Sequence, residues 1–303
     1  MKRIISAVSD FSFMDRRRYW FIFSSVIILA GIISLLAQGL NLGVDFTGGS
    51  VLELDYAGPV TSAEVEEVLV PFEDMAGSQI LRMGDPEAPL IRIKSPAFPD
   101  GAEREDLYAA LETLGDYSIA SMDVVSPVIG RELTRTGLMA LAVALAGMVI
   151  YITVRFEFRF AVTAVLTLVH DSLITLGIFS LLQVEVDQAF IAAILTIVGY
   201  SVNDTIVVFD RIRENLRYRG PGDRAAPLVD TSIHQTLSRS LITSVTTFAA
   251  VMGIYLFGGV SIRNFTFALM LGVVVGTYSS IFVASPIWVT WQELRPSRST
   301  ARS

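Results

Sequence analysis

The apolar residues of this chain are gathered into six long runs. The runs cover residues 19–37, 138–154, 160–182, 189–209, 241–257 and 265–289. A helix needs about 20 apolar residues to cross the hydrocarbon core of a bilayer, and a soluble domain of this size has no use for such runs. The pattern therefore predicts a polytopic α-helical membrane protein with six transmembrane helices.

The first run follows three arginines at positions 16–18, an arrangement that secretory signal peptides also have. However, the run contains 19 uncharged residues and is followed by LAQGLNLG, which offers no small-x-small cleavage site. We therefore expect an uncleaved first transmembrane helix.

A long polar segment between the first two runs has the pattern of a separate water-soluble domain. Alternating or short apolar stretches predict strands at 50–56, 78–83, 89–95 and 118–128, and helical spacing predicts helices at 61–72 and 101–115. The first of these helices opens with a Thr-x-x-Glu capping box. The resulting order, β-α-β-β-α-β, is that of a ferredoxin-like α+β domain, a fold that does not define a function.

The distribution of Lys and Arg predicts the orientation of the chain. With the N-terminus in the cytoplasm, 16 of the 23 basic residues fall on the cytoplasmic side. This arrangement predicts a cytoplasmic N-terminus (1–18), a first transmembrane helix (19–38), an extracytoplasmic ferredoxin-like domain (39–135), transmembrane helices 2–6 (136–292) with a basic cytoplasmic loop (210–238), and a cytoplasmic tail (293–303).

Charge and composition exclude several classes of function. Residues 41–130 carry 17 acidic and 4 basic side chains, so this segment has no basic face for a nucleic acid. The chain has no cysteine and two histidines, a composition that argues against disulfides and metal sites. The stretch VDFTGGS (44–50) lacks the Gly-Lys-Ser/Thr ending of a phosphate loop, so its glycines are expected to allow a tight exit from the first helix.

Polar and small residues recur at helical spacing inside the apolar runs. Because lipid cannot satisfy polar groups, the polar stripes predict a hydrated or protein-filled interior, and the small-residue stripe predicts close helix packing. The polar stripes are Thr163, Thr167, Asp171 and Thr175 in the third run, Thr196, Tyr200 and Asp204 in the fourth, and Thr236, Arg239, Thr243 and Thr246 in the fifth; the small-residue stripe is Ala268, Gly272, Gly276, Ser280 and Ala284 in the sixth.

Asp204 is the most unusual of these residues, because it interrupts the apolar stretch VGYSVNDTIVVF. It lies roughly 22 Å along the helix from Ala189, at a depth similar to that of Arg239, so an ion pair between the two is geometrically possible. A dry interior favours the neutral acid and a nearby guanidinium favours the carboxylate, so helix movement would make Asp204 bind and release a proton. Two other readings are a static hydrogen-bond network and a helical break capped by Asn203, Asp204 and Thr205.

Asp171 and its neighbour His170 lie about 16 Å from the start of the third run, near the midplane of the bilayer. The pair fits either a proton relay or a packing network. Neighbouring residues point to different faces of a helix, which argues against a catalytic triad of His170, Asp171 and Ser172. An intramembrane aspartyl protease is also disfavoured, because its two carboxyl groups must share a proton whereas Asp171 and Asp204 differ in depth.

Four motifs together resemble the SecD/SecF family of protein-export membrane proteins, which belongs with the resistance-nodulation-division superfamily. They are GVDFTGG (43–49), LVHDSLITLG (168–177), VGYSVNDTIVVFDRIREN (198–215) and QTLSRSLITSVTT (235–247), and the similarity extends over essentially the whole chain.

The resemblance implies half of a resistance-nodulation-division bundle that works with SecD beside the SecYEG channel in the cytoplasmic membrane. It implies that the outer domain handles the emerging preprotein while proton flow drives export, with protons as the coupling ion and neither a cofactor nor an enzymatic activity. Asp204 and Arg239 match the carboxylate and arginine of the family's proton path. Two alternatives stay open: a subunit of a proton-driven small-molecule exporter of the same superfamily, and a structural scaffold for the channel.

Overall fold

The computed structural model describes residues 11–155, 157–218, 220 and 223–294. Most of the predicted cytoplasmic N-terminus (residues 1–10) and tail (295–303) lies outside these residues. The described part divides into two compact units: the sheet unit, Leu42–Met139, and the helix unit, which holds the rest. Its six long apolar helices confirm the predicted number of spans. They are Arg17–Ala37, Pro127–Arg155, Phe158–Leu182, Gln188–Leu216, Ala225–Phe257 and a composite sixth helix, Arg263–Glu293.

Two spanning helices begin much earlier than their apolar runs. The second starts at Pro127, a residue suited to the first turn of a helix, so the predicted strand 118–128 is too long and ends at Val125. The fifth starts at Ala225, inside the predicted loop 210–238. Val229 and Ile233 are fully buried in this added part. Hydropathy detects only the apolar part of a helix, so it missed these polar ends.

The third, fourth and sixth helices form the interior of the helix unit, with about half of each apolar window buried. The small-residue stripe of the sixth helix is buried, which confirms the predicted close packing, and its two glycines contact the fourth helix. A Cβ added at Gly272 would lie 2.1 Å from Ile197 Cγ1, and one at Gly276 would lie 3.1 Å from Ser201 Cβ. An added side-chain carbon would therefore overlap Ile197 at Gly272, and at Gly276 it would fit only if Ser201 moved slightly.

The first and third helices cross where two glycines meet. A Cβ added at Gly31 would lie 2.8 Å from Gly177 Cα, and one at Gly177 would lie 2.7 Å from Gly31 Cα. On either side of this crossing the helices exchange hydrogen bonds, for example between the Ser34 and Ser180 hydroxyls at 2.7 Å.

The sixth helix is irregular in its middle. It consists of an α-helix, Arg263–Ser279, a π-helical turn, Ser280–Ala284, and a second α-helix, Ser285–Glu293. Pro286 is the second residue after the π-turn and has no N–H to donate to the preceding residues. Short π-turns inside α-helices are frequently found at functional sites.

The sheet unit contains a four-stranded antiparallel sheet in the order β2-β3-β1-β4. Its strands are β1 (Gly49–Tyr56), β2 (Gln79–Asp85), β3 (Ala88–Ser95) and β4 (Tyr117–Val125), and its longer helices are Ser62–Leu69 and Ala102–Glu112. The predicted chain order of these six elements is confirmed, as is the capping box between Thr61 and Glu64.

One apolar core holds the sheet unit together. Leu54 and Ile91 of the central strands are fully buried against Val65 of one helix and Leu107 of the other. The unit is entered through a one-turn helix, Val44–Thr47, followed by two glycines.

The second of these glycines, Gly49, has φ +121°, and a Cβ there would lie 2.4 Å from the Ser95 carbonyl oxygen. The expectation that these glycines allow a tight entry is therefore confirmed, since only glycine fits this conformation and contact.

Candidate functional site

Asp204 lies in the middle of the fourth helix, which runs without interruption from Gln188 to Leu216. The reading in which Asp204 caps a helical break is therefore wrong. Its side chain is buried, and each carboxyl oxygen accepts one short hydrogen bond from a neighbouring helix. Ser240 Oγ donates to Oδ1 at 2.6 Å, and Ser280 Oγ donates to Oδ2 at 2.6 Å.

Arg239 is exposed and does not contact Asp204. The only described groups that bind the Asp204 carboxyl are Ser240 and Ser280. The geometrically possible ion pair is therefore not formed in this structure. The arginine precedes Ser240 by one residue, so the two side chains leave the helix in directions about 100° apart.

The predicted polar stripe of the fifth helix falls mostly on its exposed side. Thr236 is buried, whereas Thr243 and Thr246 are exposed like Arg239. The buried polar face consists instead of Ser232, Thr236, Ser240 and Ser244, at intervals of four residues.

The remaining candidates of the fourth helix lie on different faces. Asn203 is exposed and points away from the buried carboxyl group. Thr196 is also exposed, and its hydroxyl donates to the Ala192 carbonyl at 2.8 Å. Tyr200 donates to Ser244 Oγ at 3.1 Å, which connects the fourth and fifth helices.

Asp171 and His170 bind each other directly, with 2.8 Å between Nδ1 of the ring and Oδ1 of the carboxyl. The argument that neighbouring residues diverge did not anticipate this contact. Ser201 and Ser279 donate to the other oxygen, Oδ2, at 2.6 and 2.8 Å. Both side chains of the pair are buried, and Ser172 takes no part in these hydrogen bonds, so no triad forms.

Two neighbouring serines of the sixth helix join the two carboxyl groups into one site. Ser279 binds Asp171 and Ser280 binds Asp204. The fourth helix makes the same connection, since Ser201 binds Asp171 and lies one turn before Asp204. The π-turn begins at Ser280, so the irregular part of the sixth helix starts at the site itself.

Both of these serines have a second acceptor on their own helix. Ser279 Oγ lies 3.1 Å from the Gly276 carbonyl oxygen, and Ser280 Oγ lies 3.0 Å from that of Thr277. Each hydroxyl proton can therefore turn away from its aspartate without losing a hydrogen bond. The freed hydroxyl oxygen can then accept a hydrogen bond from the protonated carboxyl group.

The described residues of the site differ from the arrangements that a metal ion or a pair of catalytic aspartates needs. Within the described ranges, no group of three or more His, Cys, Asp and Glu residues is placed to hold a metal ion. Asp171 and Asp204 each bind their own serines and do not bind each other. The arrangement suits reversible binding of protons between helices.

The class of protein now follows from fold and site together: a multi-pass membrane protein with hydrogen-bonded carboxyl groups buried between its spanning helices, an arrangement that usually serves transport or coupling. The family model described as protein export membrane protein SecD/SecF, C-terminal, matches residues 106–294, and that of the SecD/SecF GG motif matches residues 33–60. The chain belongs to the SecD/SecF family.

Individual relatives agree with this assignment along almost the whole chain. The protein translocase subunit SecF of Alicyclobacillus acidocaldarius is 39% identical over 296 residues, which cover 96% of each chain. SecF of Vibrio alginolyticus is 40% identical over 300 residues, covering 95% of this chain and 91% of the relative. The protein translocase subunit SecDF of Bacillus subtilis is 38% identical over 96% of this chain but only 39% of its own length.

The fold also matches a solved structure. The crystal structure of SecDF from Thermus thermophilus, described as a translocon-associated membrane protein, superimposes with a TM-score of 0.81 at 34% identity. The match covers 94% of this chain and 39% of that chain. This chain therefore corresponds to one part of a longer SecDF polypeptide.

Proposed function

We propose that the chain is a SecF-type accessory subunit of the Sec translocase that uses the proton motive force, together with SecD, to drive late stages of preprotein translocation. The observation that carries the proposal is the Asp204 site, a buried carboxyl group that, among the described residues, binds only serine hydroxyls from two other helices. Burying a titratable group in a membrane protein is costly and usually serves transport.

The Asp204 site can satisfy both protonation states of its carboxyl group. As a carboxylate, Asp204 accepts one hydrogen bond from Ser240 and one from Ser280. When a proton binds Oδ2, Ser280 turns its own proton to the Thr277 carbonyl and its oxygen accepts from the new acid. Proton binding thereby changes the hydrogen bond between the fourth and sixth helices, and this change is a means of coupling protons to helix movement.

Arg239 is the fixed charge of the proposed proton path, and its exposure suggests where the path lies. Arginine stays charged under all physiological conditions, and a charged group on a lipid-facing helix is unfavourable. We infer that the exposed side of the fifth helix is covered by the SecD half of the complex. The SecDF relatives support this, since more than half of their length lies outside the part that this chain matches. We assign Asn203, which is exposed on the fourth helix, to the same proposed path.

The sheet unit has the element order and strand order of a ferredoxin-like domain, and we assign it to the extracytoplasmic side. The support is the charge distribution: residues 41–130 are strongly acidic, whereas the short loops on the other side are basic. Both termini then lie in the cytoplasm, and the six helices span the cell membrane. The emerging preprotein and the SecYEG channel are the proposed partners, besides lipid.

The decisive variant is Asp204→Asn, which keeps the size of the side chain and removes its titration. We expect normal assembly in vesicles that contain the SecD partner and the channel, with loss of the stage of export that depends on the proton gradient. Proton flux and export are measured together. Asp210→Asn, an exposed position on the same helix, is the matched control. Gradient-dependent export that persists in Asp204→Asn would leave only a structural role for this chain.

A further inference from the structure

Four side chains from three helices form an unbranched hydrogen-bonded chain beside the Asp204 site. The Tyr278 hydroxyl donates to the Trp20 carbonyl at 3.2 Å and lies 3.0 Å from Ser24 Oγ. Ser24 Oγ lies 2.9 Å from Nε2 of His170. Nδ1 of the same ring lies 2.8 Å from Oδ1 of Asp171. We call Tyr278, Ser24, His170 and Asp171 the histidine chain.

The inner end of the histidine chain is buried, and no described cationic side chain binds it. His170 is 7% exposed, Asp171 is 1% exposed and Ser24 is 5% exposed, whereas Tyr278 is half-buried. No described arginine or lysine binds either member of the pair. The other titratable groups that face it are Tyr278 of the sixth helix and, through Ser279 and Ser280, Asp204 of the fourth.

One assignment of the protons along the chain makes the histidine a cation. A hydroxyl has one proton to donate in a hydrogen bond. When the Tyr278 hydroxyl donates to the Trp20 carbonyl, the bond between Tyr278 and Ser24 uses the proton of Ser24. The bond between Ser24 and His170 then uses a proton on Nε2. With Nδ1 donating to Asp171, the ring in this assignment carries two protons and pairs with a carboxylate.

A second arrangement satisfies the same inner contacts with one proton fewer. If Tyr278 releases its hydroxyl proton to water, the Ser24 proton moves to the tyrosine oxygen and the Nε2 proton of His170 moves to Ser24. Tyr278 then donates to Ser24, and Ser24 donates to a neutral ring that still donates from Nδ1 to Asp171. Each O–H or N–H bond that breaks is replaced by one that forms, and one proton has left through Tyr278.

We propose that the histidine chain conducts single protons between Tyr278 and a second proton-binding site, the His170–Asp171 pair. This inference rests on the proposed function, and it deepens that function by adding a branch and a second site to the proton path. The pair and Asp204 both bind the sixth helix, because Ser279 donates to Asp171 and the next residue, Ser280, donates to Asp204. The tyrosine is the end through which the pair exchanges protons with its surroundings.

The first helix supplies a matched pair of variants. Ser24 and Ser34 are both buried, and both bind the third helix, but only Ser24 belongs to the histidine chain. Ser24→Ala interrupts the chain, and Ser34→Ala removes an equivalent packing contact without touching it. Tyr278→Phe interrupts the chain a second time, at its other end.

The test follows the ring nitrogens of His170 by NMR in the full chain, labelled with ¹⁵N-histidine and placed in lipid vesicles with its SecD partner. There are two histidines, so the His170 signals are those lost in His170→Gln. Between about pH 5 and about pH 9, we expect the wild-type ring to lose its Nε2 proton while Nδ1 stays protonated. Proton exchange with bulk water should slow by at least about tenfold in Ser24→Ala and in Tyr278→Phe, and stay unchanged in Ser34→Ala.

Two results would overturn the proposal: a ring that keeps one protonation state over the whole range, or exchange in Ser24→Ala as fast as in Ser34→Ala. Either would identify the histidine chain as a static packing network. The Asp204→Asn experiment is independent of this outcome. If that variant loses gradient-dependent export while His170 fails to titrate, the proposed function stands and only the second site is refuted.

Discussion

At the scale of single residues, serines decide what the buried carboxyl groups can do. Four of them, Ser201, Ser240, Ser279 and Ser280, hold the two aspartates. A hydroxyl group can donate or accept, so it suits a carboxyl group that changes its protonation state. A lysine or arginine in the same place would only donate and would favour the charged form.

The position of Arg239 separates its effect on function from its effect on stability. We expect Arg239→Lys and Arg239→Gln to reduce gradient-dependent export, because lysine lacks the planar fork of the guanidinium and glutamine lacks the charge. The unfolding free energy of the isolated chain should change by no more than about 0.5 kcal/mol, as is usual for exposed positions. Export assays measure the effect on function, and thermal unfolding in detergent measures the effect on stability. Arg217→Lys, another exposed arginine, is the control, and export unchanged in both Arg239 variants would remove this residue from the path.

Tyr56 makes the sheet unit sensitive to alkaline pH. Burial, followed by the charge of Tyr117, raises the pKa of Tyr56 from 10.0 to about 12, and its hydroxyl donates to the Leu111 carbonyl at 3.1 Å. The folded pKa is raised, so the stabilisation is complete below pH 10 and is lost as the pH rises towards 12, by at most about 3 kcal/mol. The difference in tyrosinate absorbance between wild type and Tyr56→Phe reports the ionisation of Tyr56. This difference should titrate near pH 12 in the folded chain and near pH 10 in denaturant. A difference that titrates near 10 in both would contradict the burial of this ring.

The sequence reveals Asp204 and Asp171 as exceptional residues, but not the serines that bind them. A serine in an apolar helix can always donate to the carbonyl four residues earlier, so its presence alone indicates no partner. Arg239 attracts attention by its charge, and yet the neighbouring Ser240 is the residue that reaches Asp204. Which of two adjacent side chains faces inward depends on the rotation of the whole helix, and that is set by packing.

At the scale of elements, the first and third helices depend on backbone contact between Gly31 and Gly177. Gly31→Ala would place a methyl group 2.8 Å from the Gly177 Cα atom, where no flexible side chain can yield. We expect a loss of about 1–3 kcal/mol, as for other overpacked cores. Gly147→Ala, in the second helix with nothing within 4 Å of the added carbon, is the matched control. Thermal unfolding followed by tryptophan fluorescence compares the two, and equal stability would contradict the close crossing.

Elements are predictable from the sequence where periodicity and hydropathy agree. The six spans and the β-α-β-β-α-β order satisfy this condition, because strands and helices there alternate with clear turn signals. At the beginning of the fifth helix, periodicity and hydropathy disagree. Its first turns are mostly polar, and their buried apolar side includes Val229 and Ile233. The π-turn at Ser280–Ala284 has no local signature except Pro286.

At the scale of the whole molecule, the spanning helices are unequally covered. Only 11% of the most apolar 18-residue stretch of the fifth helix is buried, whereas the corresponding stretches of the third, fourth and sixth helices are 50–56% buried. Lipid can cover its apolar side chains, but not Arg239 and the threonines beside it. The exposed polar side of this helix is therefore the surface that we expect the proposed SecD partner to cover.

This surface can be tested because the chain contains no cysteine. A photo-crosslinking group attached at Thr243→Cys should crosslink to the SecD partner when the two are expressed together. The same group attached at Val143→Cys, an exposed apolar position of the second helix, should crosslink to lipid instead. Equal crosslinking to SecD from both positions, or none from Thr243→Cys, would place the partner on another side of the chain.

The neighbouring serines at the start of the π-turn have a mechanical consequence. Ser279 and Ser280 are consecutive residues of one backbone, so a displacement of this part of the sixth helix changes the distances of both hydroxyls from their aspartates. In the proposed proton-driven cycle, the two acidic groups would therefore be linked through the backbone of the sixth helix rather than through a direct contact with each other.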